Sequence, residues 1–199
     1  MTDRRSARWT NLFDDLAAQL EQELEAERLG LHAEEERLRL GRLELRDRLV
    51  GLATVEGPAT LVLVDSRTIT VAITTVGRDW LAGDVVDGAS RRSQCIVPIA
   101  AVAAVHLDAP GVVASLAEVP PPSAGLTARL GLSFVLRDLC RRRVGVRAVL
   151  RQGDAHGTID RVGRDHFDLA VHESDLPRRR EAISEVRIVP FAELVMLRL

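Results

Sequence analysis

The sequence predicts an α+β protein: a helical N-terminal arm followed by two similar small antiparallel β-barrels, each preceded by a helix. Three observations carry that expectation. The tetrapeptide Val76-Gly77-Arg78-Asp79 returns with its surroundings as Val162-Gly163-Arg164-Asp165. Apolar residues at the start of the chain recur at helical spacing, whereas beyond residue 50 they gather in short β-branched runs. The run Pro120-Pro121-Pro122-Ser123 can propagate neither a helix nor a central strand, so it divides the chain.

The repeat extends in both directions from the tetrapeptide. Upstream, Arg39-Leu40-Gly41 and Leu45-Arg46-Asp47 match Arg129-Leu130-Gly131 and Leu136-Arg137-Asp138. Downstream, Ile96-Val97-Pro98-Ile99-Ala100 before Val105-His106-Leu107 matches Ile188-Val189-Pro190-Phe191-Ala192 before Met196-Leu197-Arg198-Leu199. The order is kept while the spacings drift, as duplication with insertions in surface turns would leave it. The expected organisation is a helical arm over 1–44, a first barrel over 45–119 and a second over 120–199, the second led by a helix at 126–141.

In the arm, Trp9, Phe13, Leu16, Leu20 and Leu24 fall at alternating steps of four and three, with Thr10 or Asn11 as a cap and Asp14 and Asp15 in the first turn. Leu24, Leu31, Leu38, Leu45 and Leu52 then recur every seventh residue. Their companion positions hold Arg28, Glu35 and Arg42, so the coiled-coil pattern is half complete. Gly30 and Gly41 each weaken a helix by about 1 kcal/mol relative to Ala, which places a break near residues 29–32. The arm is expected either to associate with a protein partner or a second copy, or to fold its leucines onto the barrels.

In the first barrel, residues 59–64 and 68–73 read as strands around a turn at Asp65-Ser66-Arg67. After Gly77-Arg78-Asp79 the chain resumes at Trp80-Leu81-Ala82, and residues 83–94 read as a polar loop. Cys95-Ile96-Val97-Pro98 is a strand with Pro98 at its end, followed by a short 3₁₀ turn and a last strand. In the second barrel, strands are expected at 144–151, 157–162, 167–172 and 186–190, with turns at Gln152-Gly153-Asp154 and at the second Gly-Arg-Asp, and Phe191-Ala192-Glu193 with residues 194–199 closing the unit. The repeated Gly-Arg-Asp most simply makes a turn, Gly supplying positive φ and Asp bonding nearby amides. The two barrels are expected to meet through a pseudo-twofold contact that buries strand edges.

A helix followed by five short, curved strands resembles the Sm-like and SH3-like class of small β-barrels. Residues 146–153 are similar to the first Sm strand and its turn, and Gly157-Thr158-Ile159 to the start of the second. Val71 stands in the first unit where Gly157 stands in the second, and the glycine-bearing second Sm motif is absent from residues 187–199. The resemblance implies a small barrel fold; RNA binding, a property of the family, is carried to no residue here.

Composition narrows the function classes. All 27 basic residues are Arg, the signature of a GC-rich genome, and formal net charge is −2 over 199 residues. From residue 120 onward 14 Arg oppose 10 acids, whereas the preceding residues hold 13 Arg against 19 acids. Arg141, Arg142, Arg143, Arg178, Arg179 and Arg180 therefore form the candidate nucleic-acid-binding set. Six aromatic residues offer little for base stacking, and Phe134, Phe167 and Phe191 sit at core-like positions. No apolar run suits a membrane span or a signal core, so a cytoplasmic location is expected. Cys95 and Cys140 read as reduced and buried. His156, His166 and His172 lie among Asp154, Asp160, Asp165 and Asp168 and could in principle supply a metal site, but His156 falls in a turn and the even spacing of His166 and His172 is what ordinary strand alternation produces. No catalytic motif, metal site or cofactor site is expected. The reading is a non-enzymatic binding or scaffolding module, the alternative being a nucleic-acid-binding regulator that uses the arginine-rich second repeat.

Overall fold

The computed structural model describes residues 3–55, 57–86, 93–117, 126–173 and 183–199, so the triple-proline stretch and Arg178, Arg179 and Arg180 lie outside the described residues. The chain comprises two compact units, Met1–Leu43 and Glu44–Leu199.

The first unit is helix α1 (Asp3–Leu40), which runs unbroken through Gly30. The expected break at 29–32 does not occur, and Thr10 and Asn11 lie inside the helix instead of capping it. A side chain at Gly30 would meet nothing within 4 Å, so only its intrinsic penalty of about 1 kcal/mol applies. Ion pairs Glu34–Arg37 and Glu36–Arg39 lie on the following turns, at helical i, i+3 spacing. The helix stops at Gly41, whose N–H closes the last turn on the Arg37 carbonyl at 3.0 Å.

The second unit opens with helix α2 (Leu45–Ala53), started by Asp47 Oδ2 accepting from the Glu44 N–H at 3.0 Å. Strands β1 (Ala59–Leu63), β2 (Thr68–Val76), β3 (Trp80–Val85), β4 (Ser93–Pro98) and β5 (Val102–His106) follow, with a 3₁₀ turn at Ile99–Ala101. Then come helices α3 (Ala109–Leu116), α4 (Leu126–Arg129) and α5 (Leu132–Arg142). The second set is β6 (Gly145–Leu150), β7 (Asp154–Val162), β8 (His166–Val171), β9 (Glu185–Pro190) and β10 (Leu194–Arg198), again with a 3₁₀ turn, Phe191–Glu193, before the last strand.

The ten strands among the described residues join one antiparallel sheet in the order β5-β1-β2-β3-β4-β10-β6-β7-β8-β9. The halves do not close into the expected separate barrels: among the described residues no strand pairing closes either half, and β4 pairs directly with β10. The pseudo-twofold contact is corrected too. A twofold would set a strand against its own repeat counterpart, whereas β4 corresponds to β9 and β10 to β5.

The duplication is reproduced down to ladder irregularities. The β2–β3 ladder slips between Ile73 and Thr75, and the β7–β8 ladder slips at the corresponding Ile159 and Arg161. The β1–β5 and β6–β10 ladders likewise each carry one slip. Such bulges bend a strand and sharpen its twist, so both halves curve at matching places.

Some boundaries differ from expectation for local reasons. Strand β3 continues through Gly83-Asp84-Val85 because all six of its residues pair with β4, so the proposed loop is shorter. Helix α3 was not expected; Asp108 caps it, accepting from the Gly111 N–H at 2.8 Å, and Pro110 sits in its first turn. The helix expected at 126–141 is split at Leu130-Gly131 into α4 and α5.

Two apolar clusters fill the unit, and each crosses the join. One gathers Leu49, Leu61, Leu81 and Val97 of the first half with Val149, Val195 and Met196 of the second. The other gathers Leu136, Val146, Phe167 and Leu169 of the second half with Trp80 and Ile96 of the first. Phe134, expected in the core, faces outward on α5, because Leu132, Leu136 and Leu139 define the buried stripe.

Candidate interaction surface

The repeated turn makes the same backbone bonds in both halves. Gly77 donates its N–H to the Trp80 carbonyl at 2.8 Å, and Gly163 donates to the His166 carbonyl at 2.9 Å. The Asp79 carbonyl accepts from the Ile99 N–H at 3.0 Å, and the Asp165 carbonyl from the Phe191 N–H at 2.7 Å. An arginine from the preceding helix reaches each glycine carbonyl: Arg46 Nε to Gly77 at 2.8 Å, Arg137 Nη2 to Gly163 at 3.5 Å. The motif is thus a clasp joining the helix, the β2–β3 or β7–β8 turn and the 3₁₀ turn.

Neither glycine has positive φ, contrary to expectation. A Cβ at Gly77 would run into the Trp80 indole, and one at Gly163 into the His166 imidazole. Glycine leaves room for the ring three residues later, which lies over the turn.

The aspartates diverge. Asp79 Oδ1 accepts from the Leu132 N–H at 2.7 Å, capping α5, whose own N-cap residue Gly131 has no side chain to offer. The Leu130 carbonyl beside it accepts from the Arg78 N–H at 3.1 Å and from Trp80 Nε1 at 2.9 Å. The first Gly-Arg-Asp is therefore a docking point for the second half's helix. In the second copy, Asp165 Oδ1 meets His166 Nδ1 at 2.8 Å, and that hydrogen bond holds the Asp165 carboxyl below its ordinary pKa.

A polar bridge ties the halves at another point. Asp154 accepts from Arg67 Nη2 at 2.8 Å and from Arg147 Nη2 at 2.7 Å, which holds its carboxyl below the usual range despite partial burial. Asp65 Oδ1 accepts from the Arg67 N–H at 3.1 Å. The buried Oδ2 of Asp65 lies 3.0 Å from Arg67 Nε, an ion pair off the hydrogen-bonding line.

The candidate basic cluster is partly neutralised. Arg141 and Arg142 both pair with Asp138, at 2.7 and 2.8 Å, and Arg143 ends α5 in a left-handed conformation with φ of 53°. Arg141 and Arg143 border an open groove with Arg161 and Asp160. The three histidines do not form one cluster: His166 stands apart from the His156–His172 pair. His166 stays with Asp165, whereas His172 is buried, its Nε2 at 2.9 Å from Thr158 Oγ1 and its Nδ1 at 2.9 Å from the Glu173 carbonyl. His156 packs edge-on against His172, with ring centroids 5.4 Å apart. Among the described residues no three His, Cys, Asp or Glu side chains gather in metal-binding fashion. Cys95 and Cys140 are free thiols; Cys95 is buried, which pushes its pKa up to about 11, and Cys140 is half-buried, its Sγ 3.3 Å from the Asp160 carbonyl.

The most informative surface is one the sequence did not single out, the two outer edges of the sheet. At the join, Leu197 of β10 faces Ile96 of β4, and Arg198 faces Cys95. The counterpart of Ile96 is Ile188 on β9, and the counterpart of Leu197 is Val105 on β5. Ile96 is 5% exposed and Ile188 is 71% exposed, with Val186 beside it at 56%. Among the described residues neither edge strand has an outer neighbour. The flanking side chains are smaller or more polar than at the join: Ala103 and Ala104 replace Val195 and Met196, while His166 and Asp168 replace Trp80 and Ala82.

Helix α1 presents a second apolar feature, with Leu20, Leu24, Leu29, Leu31 and Leu38 exposed. Among the described residues no helix is long and apolar enough to cross a membrane. No family model, curated protein or solved structure matches this chain.

Proposed function

We propose that this protein is a non-catalytic binding or scaffolding module whose working parts are the sheet edges and the leucine-bearing helix α1. The observation that carries this reading is Ile188, an isoleucine 71% exposed on an edge strand whose counterpart in the same chain is covered by a paired strand. Exposed apolar side chains on an unpaired edge favour addition of another strand, with main-chain hydrogen bonds giving affinity and side chains giving specificity. Each half is a helix followed by five strands with matching bulges, which supports a pair of small, partly open barrels of the Sm-like or SH3-like kind. The exposed leucines of α1 support association of the arm with a protein partner or a second copy.

The test is a titration of purified protein with single-stranded RNA and with duplex DNA from low to high salt. Absence of binding at low salt is the expected result. Binding that falls steeply with salt and vanishes when Arg141, Arg142, Arg143, Arg178, Arg179 and Arg180 are replaced by Ser would install the nucleic-acid regulator in its place. The pairing of Arg141 and Arg142 with Asp138 favours the first outcome, since those charges are already partly balanced.

A further inference from the structure

We infer that copies of this chain associate head to tail, β9 of one copy pairing antiparallel with β5 of the next in the register of the internal β4–β10 join. The inference rests on the interaction-module reading and names its partner as a second copy. Its basis is the geometry of the join. Because β4 of the first half pairs with β10 of the second, and β10 corresponds to β5, the contact links two different edges of one repeated unit. A contact of that kind leaves the complementary pair of edges unused at the two ends of the sheet, which is the condition for a ring or an open fibre.

The register transfers directly. Ile188 would face Val105 as Ile96 faces Leu197, and Arg187 would face His106 as Cys95 faces Arg198. A seat for Ile188 is also present. Within the chain Ile96 packs in the cluster containing Leu136 and Leu197. Their first-half counterparts are Leu45 and Val105, the former assigned by the shared clasp of Arg46 and Arg137. Leu45 and Val105 line an open groove of ≈ 290 Å³ together with Leu49, Leu52, Val112 and the cationic Arg48. A groove beside β5 walled mainly by leucine and valine, with Arg48 at its side, and an exposed isoleucine on β9 are therefore the two halves of one contact, separated onto opposite ends of the sheet.

The same comparison sets the strength. Ala103, Ala104, His166 and Asp168 stand where the internal join has Val195, Met196, Trp80 and Ala82, so the intermolecular contact covers less apolar surface. Association is expected to be reversible and concentration-dependent.

Sedimentation velocity on the full chain, with concentration varied over about three decades, provides the test. Wild type should grow in mass with concentration. Ile188→Asp, on an exposed β9 position, and Ala104→Asp, on an exposed β5 position, should each abolish that growth. An equimolar mixture of the two variants should form a one-to-one complex, because the first retains β5 and the second retains β9. A wild type of constant mass would overturn the inference while leaving the interaction-module reading in place. Growth undiminished in both variants would overturn it in favour of another surface such as α1. Self-pairing of Ala104→Asp alone would overturn it in favour of a twofold β9–β9 contact. Circular dichroism of each variant establishes that it is folded before its mass is interpreted.

Discussion

The two halves of the sheet share their strand order, their bulges and their Gly-Arg-Asp clasp, yet they differ at the residues along one face. In the first half Trp80, Ala82 and Ile96 point across the join and are covered by the second half. At the same places the second half carries His166, Asp168 and Ile188, and the last of these is largely in water. Duplication produced equal backbones, and the position of each half in the sheet then decided what its side chains must do. A side chain at the join must fill a cavity, whereas one at the free edge must keep the sheet soluble while leaving a limited apolar contact.

This contrast makes its largest prediction at the isoleucine pair. Ile96→Asp places a carboxylate in the second-half core, and denaturant unfolding should show a loss of about 3–5 kcal/mol or no folded protein. Ile188→Asp should change monomer stability by no more than about 0.5 kcal/mol. Equal costs at both positions would mean that the edge is covered within the chain.

The next effect is at the clasp glycines. Gly77→Ala forces the indole of Trp80 off the turn and disturbs its bond to Leu130, so a loss of about 1–3 kcal/mol is expected. Gly163→Ala should cost less, because the imidazole of His166 is half exposed and can swing away. A smaller difference is expected at the aspartates. Asp79→Ala removes the cap of α5 at about 1 kcal/mol, and Asp165→Ala, whose side chain lies in solvent, should leave the unfolding midpoint unchanged.

The smallest effect is in pH dependence. The hydrogen bonds from Arg67 and Arg147 lower the Asp154 pKa in the folded state, so the unfolded state binds the proton more readily. The bridge therefore adds stability above the ordinary carboxylate pKa, and that contribution fades as pH falls through the lowered value. Asp154→Asn should flatten this part of the acid limb of a stability–pH curve, and an unchanged limb would remove the bridge from the account.

The duplication was legible in the sequence because its most repeated residues make the same backbone bonds twice. Ile-Val-Pro before Ile99 and before Phe191 positions the N–H that each clasp aspartate carbonyl accepts, and Leu45-Arg46 and Leu136-Arg137 place the two arginines. The joining of the halves was not legible, since pairing of β4 with β10 is a choice among edges with equivalent local patterns. The cap supplied to α5 by Asp79 was hidden for the same reason, its partner lying in the other half of the repeat. Helix α3 was legible and missed: Asp108 followed by Pro110 is a start signal, here masked by a run of small residues that reads equally well as strand or loop. The continuity of α1 through Gly30 shows that a helix penalty of about 1 kcal/mol does not by itself break a long helix.

Native-state hydrogen exchange, followed residue by residue at increasing protein concentration, compares the two counterpart strands most directly. In β4 the Gln94–Val97 amides should be protected at every concentration, because β3 and β10 flank that strand. In β9 the outward-facing amides of the segment 185–189 should exchange rapidly in dilute protein and gain protection as concentration rises. Protection of β9 equal to that of β4 at the lowest concentration, or rapid exchange in β9 that no concentration slows, would contradict the account.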